Sequence, residues 1–393
     1  MEVKIMIDFV FNNPTKIYFG KDQLTRLGKV VSGYGKKVLL TYGGGSIKRT
    51  GLYDMVMAGL KEYNLEVFEL SGIEPNPRIG TVRKGVQICK DEGIDVVLAV
   101  GGGSTIDASK WITAGACADF DTWEFFSAGK KPEKALPLVT ILTIAATGSE
   151  MDAVGVISNP ETNEKYARSA SCLFPKASFL NPELTYTVGK FQTACGSADI
   201  LSHLIETYFN PGESMYMLDC AIEGFMKTVI KYAPVAMAEP ENYEARANLM
   251  WASSWAINGF TRTCQVGGWS CHPMEHELSA FYDITHGLGL AILTPSWLRF
   301  CLDDTTVDRY VKFGVNVWGL DPDQKPMVIA RQAIEKTEEF LFGTLGLDDK
   351  LSKVGIGDEN FSLMAQKACK GTFINGFKKF TPADVETIYR MSL

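Results

Sequence analysis

Four histidines serve the whole chain, and all of them fall between positions 203 and 286: His203, His272, His276 and His286. In the segment GSADILSHLIE, Asp199 and His203 stand at i and i+4, so a helix there stacks their side chains on one face. His272 and His286 flank the segment CHPMEHELSAFYDITHG. One carboxylate with neutral imidazoles is a ligand set that ferrous iron and zinc both accept. Asp199, His203, His272 and His286 are therefore read as the ligands of one divalent ion, with Gly287 and Gly289 allowing the backbone to come close. Protein ligands that leave a coordination position open supply chemistry rather than bracing. His276 lies one helical turn beyond His272; it is a further ligand, a partner behind a ligand, or a proton relay. A histidine on its own is more often an ordinary core or surface residue. The joint confinement of the histidines and the spacing to Asp199 carry the reading.

A second chemistry is written in glycines. Gly101-Gly102-Gly103-Ser104 follows the apolar run DVVLAV and precedes the helical pattern TIDASKWITAG. Glycines admit a close ligand, and the helix start behind them offers free amides and a positive dipole end, which suit a pyrophosphate. Asp107 either accepts a hydrogen bond from such a ligand or steadies the helix dipole as an early acid. Gly43, Gly44 and Ser46 close another strand-like run. In dinucleotide folds an acid at that place selects NAD. Here Lys48 and Arg49 follow instead, which favours NADP(H) and leaves NAD(H) open, unless the glycines only make a turn. Thr143 and Thr147, in TILTIAATGSE, carry hydroxyls suited to a nicotinamide or its ribose.

These side chains need elements to hold them. Short apolar runs at 36–44, 65–72, 95–104 and 135–150 alternate with helical patterns at 51–64 and about 77–92. Such alternation predicts a Rossmann-like α/β domain whose parallel sheet is covered on both faces. From Phe191 onward the periodicity is helical, ending in a helix that starts at Thr381-Pro382 with Thr as N-cap. The boundary falls near residue 186, so 1–186 reads as a nucleotide-binding α/β domain and 187–393 as an all-α, metal-binding domain.

Composition excludes several classes. With 393 residues, 46% hydrophobic and 22% charged, the chain reads as a two-domain globular protein. A net charge of −7 gives no basic footprint for nucleic acid. Nine cysteines without a CxxC pair read as thiols in a reducing compartment, hence the cytoplasm. The N-terminal MEVKIMIDFVF is broken by Glu2, Lys4 and Asp8 before a signal core can form. No run reaches the roughly 18 apolar residues a membrane helix requires.

Taken together, GGGSTIDASK, the ATGSE turn, GSADILSHLIE and CHPMEHELSAFYDITHGLG resemble the iron-containing (group III) alcohol dehydrogenases, in particular their butanol dehydrogenase and aldehyde reductase branch. The resemblance spans essentially the whole chain, from FNNPTKIYFG to NGFKKF, within a dehydroquinate synthase-like architecture. It implies that Asp199, His203, His272 and His286 hold the metal, that Gly101, Gly102 and Ser104 hold the pyrophosphate, and that Thr143 and Thr147 flank the nicotinamide. Lys165, in TNEKYA, matches a lysine that lies near the cofactor in relatives. Asn181 and Val188 depart from residues frequent in the family, without touching these positions. The resemblance further implies hydride transfer between NAD(P)H and short- to medium-chain aldehydes and a homodimer; by sequence, His276 is the nearest candidate for the proton donor. Trp269, Phe260 and Cys264 then form either an apolar wall for an alkyl chain or plain core. Rival readings are a dehydroquinate synthase-like lyase that uses nicotinamide transiently, a metal hydrolase without nucleotide, and a scaffold braced by histidines.

Overall fold

A computed structural model of the chain describes residues 7–212 and 215–393. They divide into two compact units. The first comprises residues 12–188 and 240–258. Its centre is a six-stranded, all-parallel sheet in the order β1-β8-β5-β4-β2-β3. The strands are β1 (Lys16–Phe19), β2 (Lys37–Tyr42), β3 (Glu66–Leu70), β4 (Val96–Gly101), β5 (Leu138–Leu142) and β8 (Ala177–Leu180). The intervening β6 (Val154–Asn159) and β7 (Glu164–Ser169) pair with each other, antiparallel, and Ser158 of β6 makes a single bridge to Arg78. Helices α1 (Leu27–Ser32), α2 (Ser46–Arg49), α3 (Leu52–Glu62), α4 (Ile79–Glu92), α5 (Gly103–Ala116) and α6 (Glu124–Ser127) connect the strands.

The inner strands β2, β4, β5 and β8 are largely apolar because both faces are buried, while the edge strands β1 and β3 carry Lys16, Glu66 and Glu69 and stay partly exposed. Leu39, Val97 and Ala99 enter one core with Ile106 and Trp111, while Val38, Leu40, Val96, Leu98 and Val100 enter the other with Leu52 and Leu60. Strand order reverses between β2 and β4: from β2 the chain first builds outward to β3, then returns to place β4 on the other side of β2. In open parallel sheets, ligands gather outside the carboxyl ends of the strands at such a reversal. Both glycine clusters sit there.

The second unit holds residues 7–11, 189–239 and 259–393. Its helices are α7 (Lys190–Tyr208), α8 (Tyr216–Ala238), α10 (Cys271–Tyr282), α11 (His286–Cys301), α12 (Val307–Trp318), α13 (Pro326–Glu338), α14 (Phe361–Ala368) and α15 (Pro382–Met391). Helix α15 opens on the expected Thr381 cap, completed by Asp384 as a reciprocal capping box. Two details differ from the sequence reading. A two-residue ladder, Ile374–Asn375 with Lys379–Phe380, interrupts the all-α unit. Helix α9 (Tyr243–Ile257) belongs with the sheet unit and not with residues 187–393, because its Ser254 Oγ donates to the buried Glu150 carboxylate and its Met250 enters the sheet core.

Candidate active site

Helix α7 is buried almost without interruption from Thr193 to Tyr208, so the Asp199 and His203 side chains on one of its faces have no water to satisfy them. Gly287 makes the approach of α11 possible: a Cβ there would lie 2.1 Å from the carbonyl oxygen of Cys195 on α7. His286 is thereby carried to Asp199 from the first residue of α11, and His272 arrives from the first turn of α10.

Three imidazole nitrogens converge on one oxygen. Asp199 Oδ1 is 3.5 Å from His203 Nε2, 3.9 Å from His272 Nε2 and 3.8 Å from His286 Nε2. These separations are too long for hydrogen bonds. They suit ligands around a shared ion, since tetrahedral bonds of about 2.1 Å set neighbouring donor atoms roughly 3.4 Å apart. Asp199 Oδ1 and His272 Nε2 are moreover buried without a hydrogen bond, an expensive condition that a cation removes. The ligand atoms of Asp199, His272 and His286 lie within 4.8 Å of one another, and the His203 ring stacks on His272 at 4.7 Å. The donor set therefore fits a divalent metal. Electrostatics agree for two of the four. Burial pushes His203 down to about 4, which leaves the imidazole neutral at pH 7 as a ligand must be. Burial works against ionisation of Asp199, but the three histidines outweigh it and hold the carboxyl well below its usual range. His272 departs: burial opposes its charge, yet Glu206 and Asp199 lift it to about 9, so loading the site releases a proton.

Two carboxylates that the sequence reading did not single out complete this centre. Glu206 accepts from the backbone amides of Ser270 at 2.6 Å, Cys271 at 2.7 Å and His272 at 3.0 Å, and from His272 Nδ1. Glu275 pairs with His286 Nδ1 and accepts from Ser279 Oγ. Each turns the Nε2 of its imidazole toward Asp199, an arrangement that raises ligand basicity. Glu206→Gln places an amide NH2 among donors, and we expect metal affinity to fall by roughly 10- to 100-fold in equilibrium dialysis. An unchanged affinity would remove Glu206 from this role. His276 also reaches the cluster. Its ring centroid is 5.7 Å from that of His286, and it forms a second close trio with Glu275 and His286.

The sheet unit assembles most of the predicted cofactor residues at the carboxyl ends of neighbouring strands. Gly43 and Gly44 follow β2, with Gly45 in the left-handed region capping α2, at whose first position Ser46 sits. Gly101 ends β4, and Gly102 caps α5 in extended conformation with no side chain satisfying the helix end, so its first amides remain free for an anion. Ser104 is the second residue of that helix. Thr143 N donates to Gly101 O at 3.0 Å, and a Cβ on Gly103 would lie 2.2 Å from Thr147 Oγ1. The loops thus fit a dinucleotide. Two of the predicted residues have partners within the protein. Asp107 accepts from Ser149 Oγ at 2.5 Å and from Val156 N at 3.0 Å, so its two oxygens tie α5 to the β5–β6 connection and to β6, and burial raises its carboxyl to about 6. Lys165 is buried on β7 and donates to Asn76 Oδ1 at 2.9 Å.

Comparison with known proteins places this geometry. The model of the iron-containing alcohol dehydrogenases matches residues 14–182, and that of the C-terminal part of the Fe-containing alcohol dehydrogenase family matches 193–393. NADH-dependent butanol dehydrogenase A of Clostridium acetobutylicum is 50% identical over 98% of this chain and 100% of its own. The NADPH-dependent aldehyde reductase YqhD of Escherichia coli is 35% identical over 92% of this chain and 93% of its own. The crystal structure of NADH-dependent butanol dehydrogenase A from Thermotoga maritima superposes with a TM-score of 0.94 at 36% identity, covering 99% of both chains.

Proposed function

The chain belongs to the iron-containing alcohol dehydrogenase family, and on that footing we propose that it reduces short- and medium-chain aldehydes with a reduced nicotinamide cofactor at one divalent ion held by Asp199, His203, His272 and His286. It is an alcohol dehydrogenase and aldehyde reductase. The observation that carries the site is the convergence of three imidazole nitrogens on one buried carboxylate oxygen.

When bound, the cation supplies Lewis acidity toward the substrate oxygen, and the nicotinamide supplies or accepts the hydride. The protein's part is placement. Glu206 and Glu275 hold the rings of His272 and His286 with Nε2 inward. Gly101, Gly102 and Ser104 present backbone amides to the pyrophosphate, Gly43, Gly44 and Ser46 leave room for the adenosine side, and Thr143 and Thr147 bond the nicotinamide side. His276 holds the proton destined for the product oxygen. His276→Ala is expected to lower turnover by roughly 10²-fold, within the usual range for a general acid, while metal content stays at one per chain. Lost metal would make it a ligand instead.

Iron and zinc both suit these donors. NADPH is our preferred cofactor, with NADH accepted. No acid follows β2; Lys48 lies 3.8 Å from Glu69 and over the Tyr53 ring, leaving Arg49 to meet a 2′-phosphate. A cytoplasmic homodimer is our reading of its setting, in keeping with nine free thiols. No helix among the described residues is long and apolar enough to cross a membrane. The lyase alternative finds no support in the relatives above. Absorbance of NADPH, followed with butanal and added ferrous iron or zinc, tests the proposal. Stoichiometric oxidation is expected, and no oxidation with any aldehyde would refute it.

A further inference from the structure

Phe260, Cys264 and Trp269 read in the sequence as either a wall for an alkyl chain or plain core, and the structure separates them. Phe260 packs edge-on against Phe11, with ring centroids 6.2 Å apart. The Cys264 thiol is buried and donates to Ile7 O at 3.4 Å. Neither of these contacts involves a histidine. Trp269 is different: its ring stands nearly perpendicular to both His203, at 5.4 Å and 86°, and His272, at 4.6 Å and 70°. Those two imidazoles are close to parallel, 16° apart, so the indole crosses the flank of the pair whose Nε2 atoms face Asp199.

The indole is firmly placed. Arg262 lies 5.3 Å from its centroid and donates to Gly267 O at 2.8 Å. Gly268 N donates to Asn375 O at 2.7 Å, and Glu206 takes the amides of Ser270 and Cys271 immediately behind. Trp269 nevertheless stays partly exposed. A large, rigid, partly exposed aromatic that touches two candidate ligands offers apolar area beside the place where a substrate oxygen is held, and no charge or acceptor for a polar chain.

We propose that Trp269 is the specificity-determining residue of this site, the wall along which an unbranched apolar chain lies, so that aliphatic aldehydes are preferred over shorter or polyhydroxylated ones. This rests on the reading above that the oxygen is held among Asp199, His203, His272 and His286.

The test compares wild type, Trp269→Phe and Trp269→Ala over acetaldehyde, butanal and hexanal, with metal content measured on the same samples. A buried methylene is worth about fourfold in affinity. The butanal-to-acetaldehyde ratio of kcat/KM is expected to fall by roughly tenfold in Trp269→Ala and less in Trp269→Phe, with metal content unchanged. An unchanged ratio overturns the proposal. So does loss of metal in both variants, which would make the indole a brace for the histidines. Should the wild type oxidise no cofactor with any aldehyde, the proposed reaction fails, and the wall is read separately. Zinc-loaded protein titrated with 1-propanol, 1-butanol and 1-hexanol is then expected to show chain-length-dependent fluorescence change that Trp269→Phe removes. A signal that survives in Trp269→Phe overturns it.

Discussion

Replacing Asp199 with alanine is expected to empty the metal site and lower butanal reduction by roughly 10⁴-fold, since Lewis-acid assistance is worth several kcal/mol. Asp199 Oδ1 is the one atom to which His203, His272 and His286 all point, and its charge is what makes a dication welcome inside the protein. Metal analysis of the purified variant, beside NADPH oxidation, checks both halves. Retained metal with retained activity would show that the cation sits elsewhere. The substitution also leaves buried imidazoles without their carboxylate, so a fall in melting temperature accompanies the loss.

The second large effect concerns the glycine loop of the sheet unit. Gly103→Ala places a methyl 2.2 Å from Thr147 Oγ1 and 2.9 Å from Thr147 Cβ. The far atoms belong to a short β-branched side chain with little freedom to move aside. The turn carrying Thr147 must therefore shift away from the start of α5. Overpacking of this kind costs about 1–3 kcal/mol. We expect the cofactor dissociation constant to rise by roughly 10- to 100-fold in a fluorescence titration, while metal content stays at the wild-type level. An unchanged constant would mean that the loop is only a turn.

The clustering of Asp199 with the histidines was unusually legible. Histidine is rare here, and an i, i+4 pair on a helix needs no tertiary knowledge to be seen. The carboxylates behind His272 and His286 were harder to read, because the chain contains 46 acidic residues and little local separates Glu206 or Glu275 from the others. Their identity depends on where α10 starts relative to α7, which is a fact of packing. Glu206 does sit one turn beyond His203 in SHLIE, a spacing that could have drawn notice. Asp107 read from the motif either as a ligand contact or as an early acid steadying the helix dipole, and its partners Ser149 and Val156, more than 40 residues on, were invisible there.

The fold was readable at the level of alternation. Apolar runs of strand length between helical patterns predicted the parallel sheet, and β2 to β5 fall within the predicted runs. The β6–β7 hairpin went unseen because EKYARS mixes charge with apolar residues on a pair half-open to solvent. The affiliation of α9 was misjudged for a different reason: helical periodicity says which element forms, not which core receives it. Its buried Ser254 finds its acceptor in Glu150, a residue 104 positions earlier.

In the proposed reaction one cation, held by Asp199 and three histidines, is required for reduction of the aldehyde. Stripping the protein with a chelator and titrating it with ferrous iron under anaerobic conditions, or with zinc, tests this most directly when bound metal and NADPH oxidation are read together. No activity is expected in the stripped protein, with a linear return that saturates at one equivalent per chain and is absent in Asp199→Ala. Full activity in demonstrably metal-free protein would contradict this requirement.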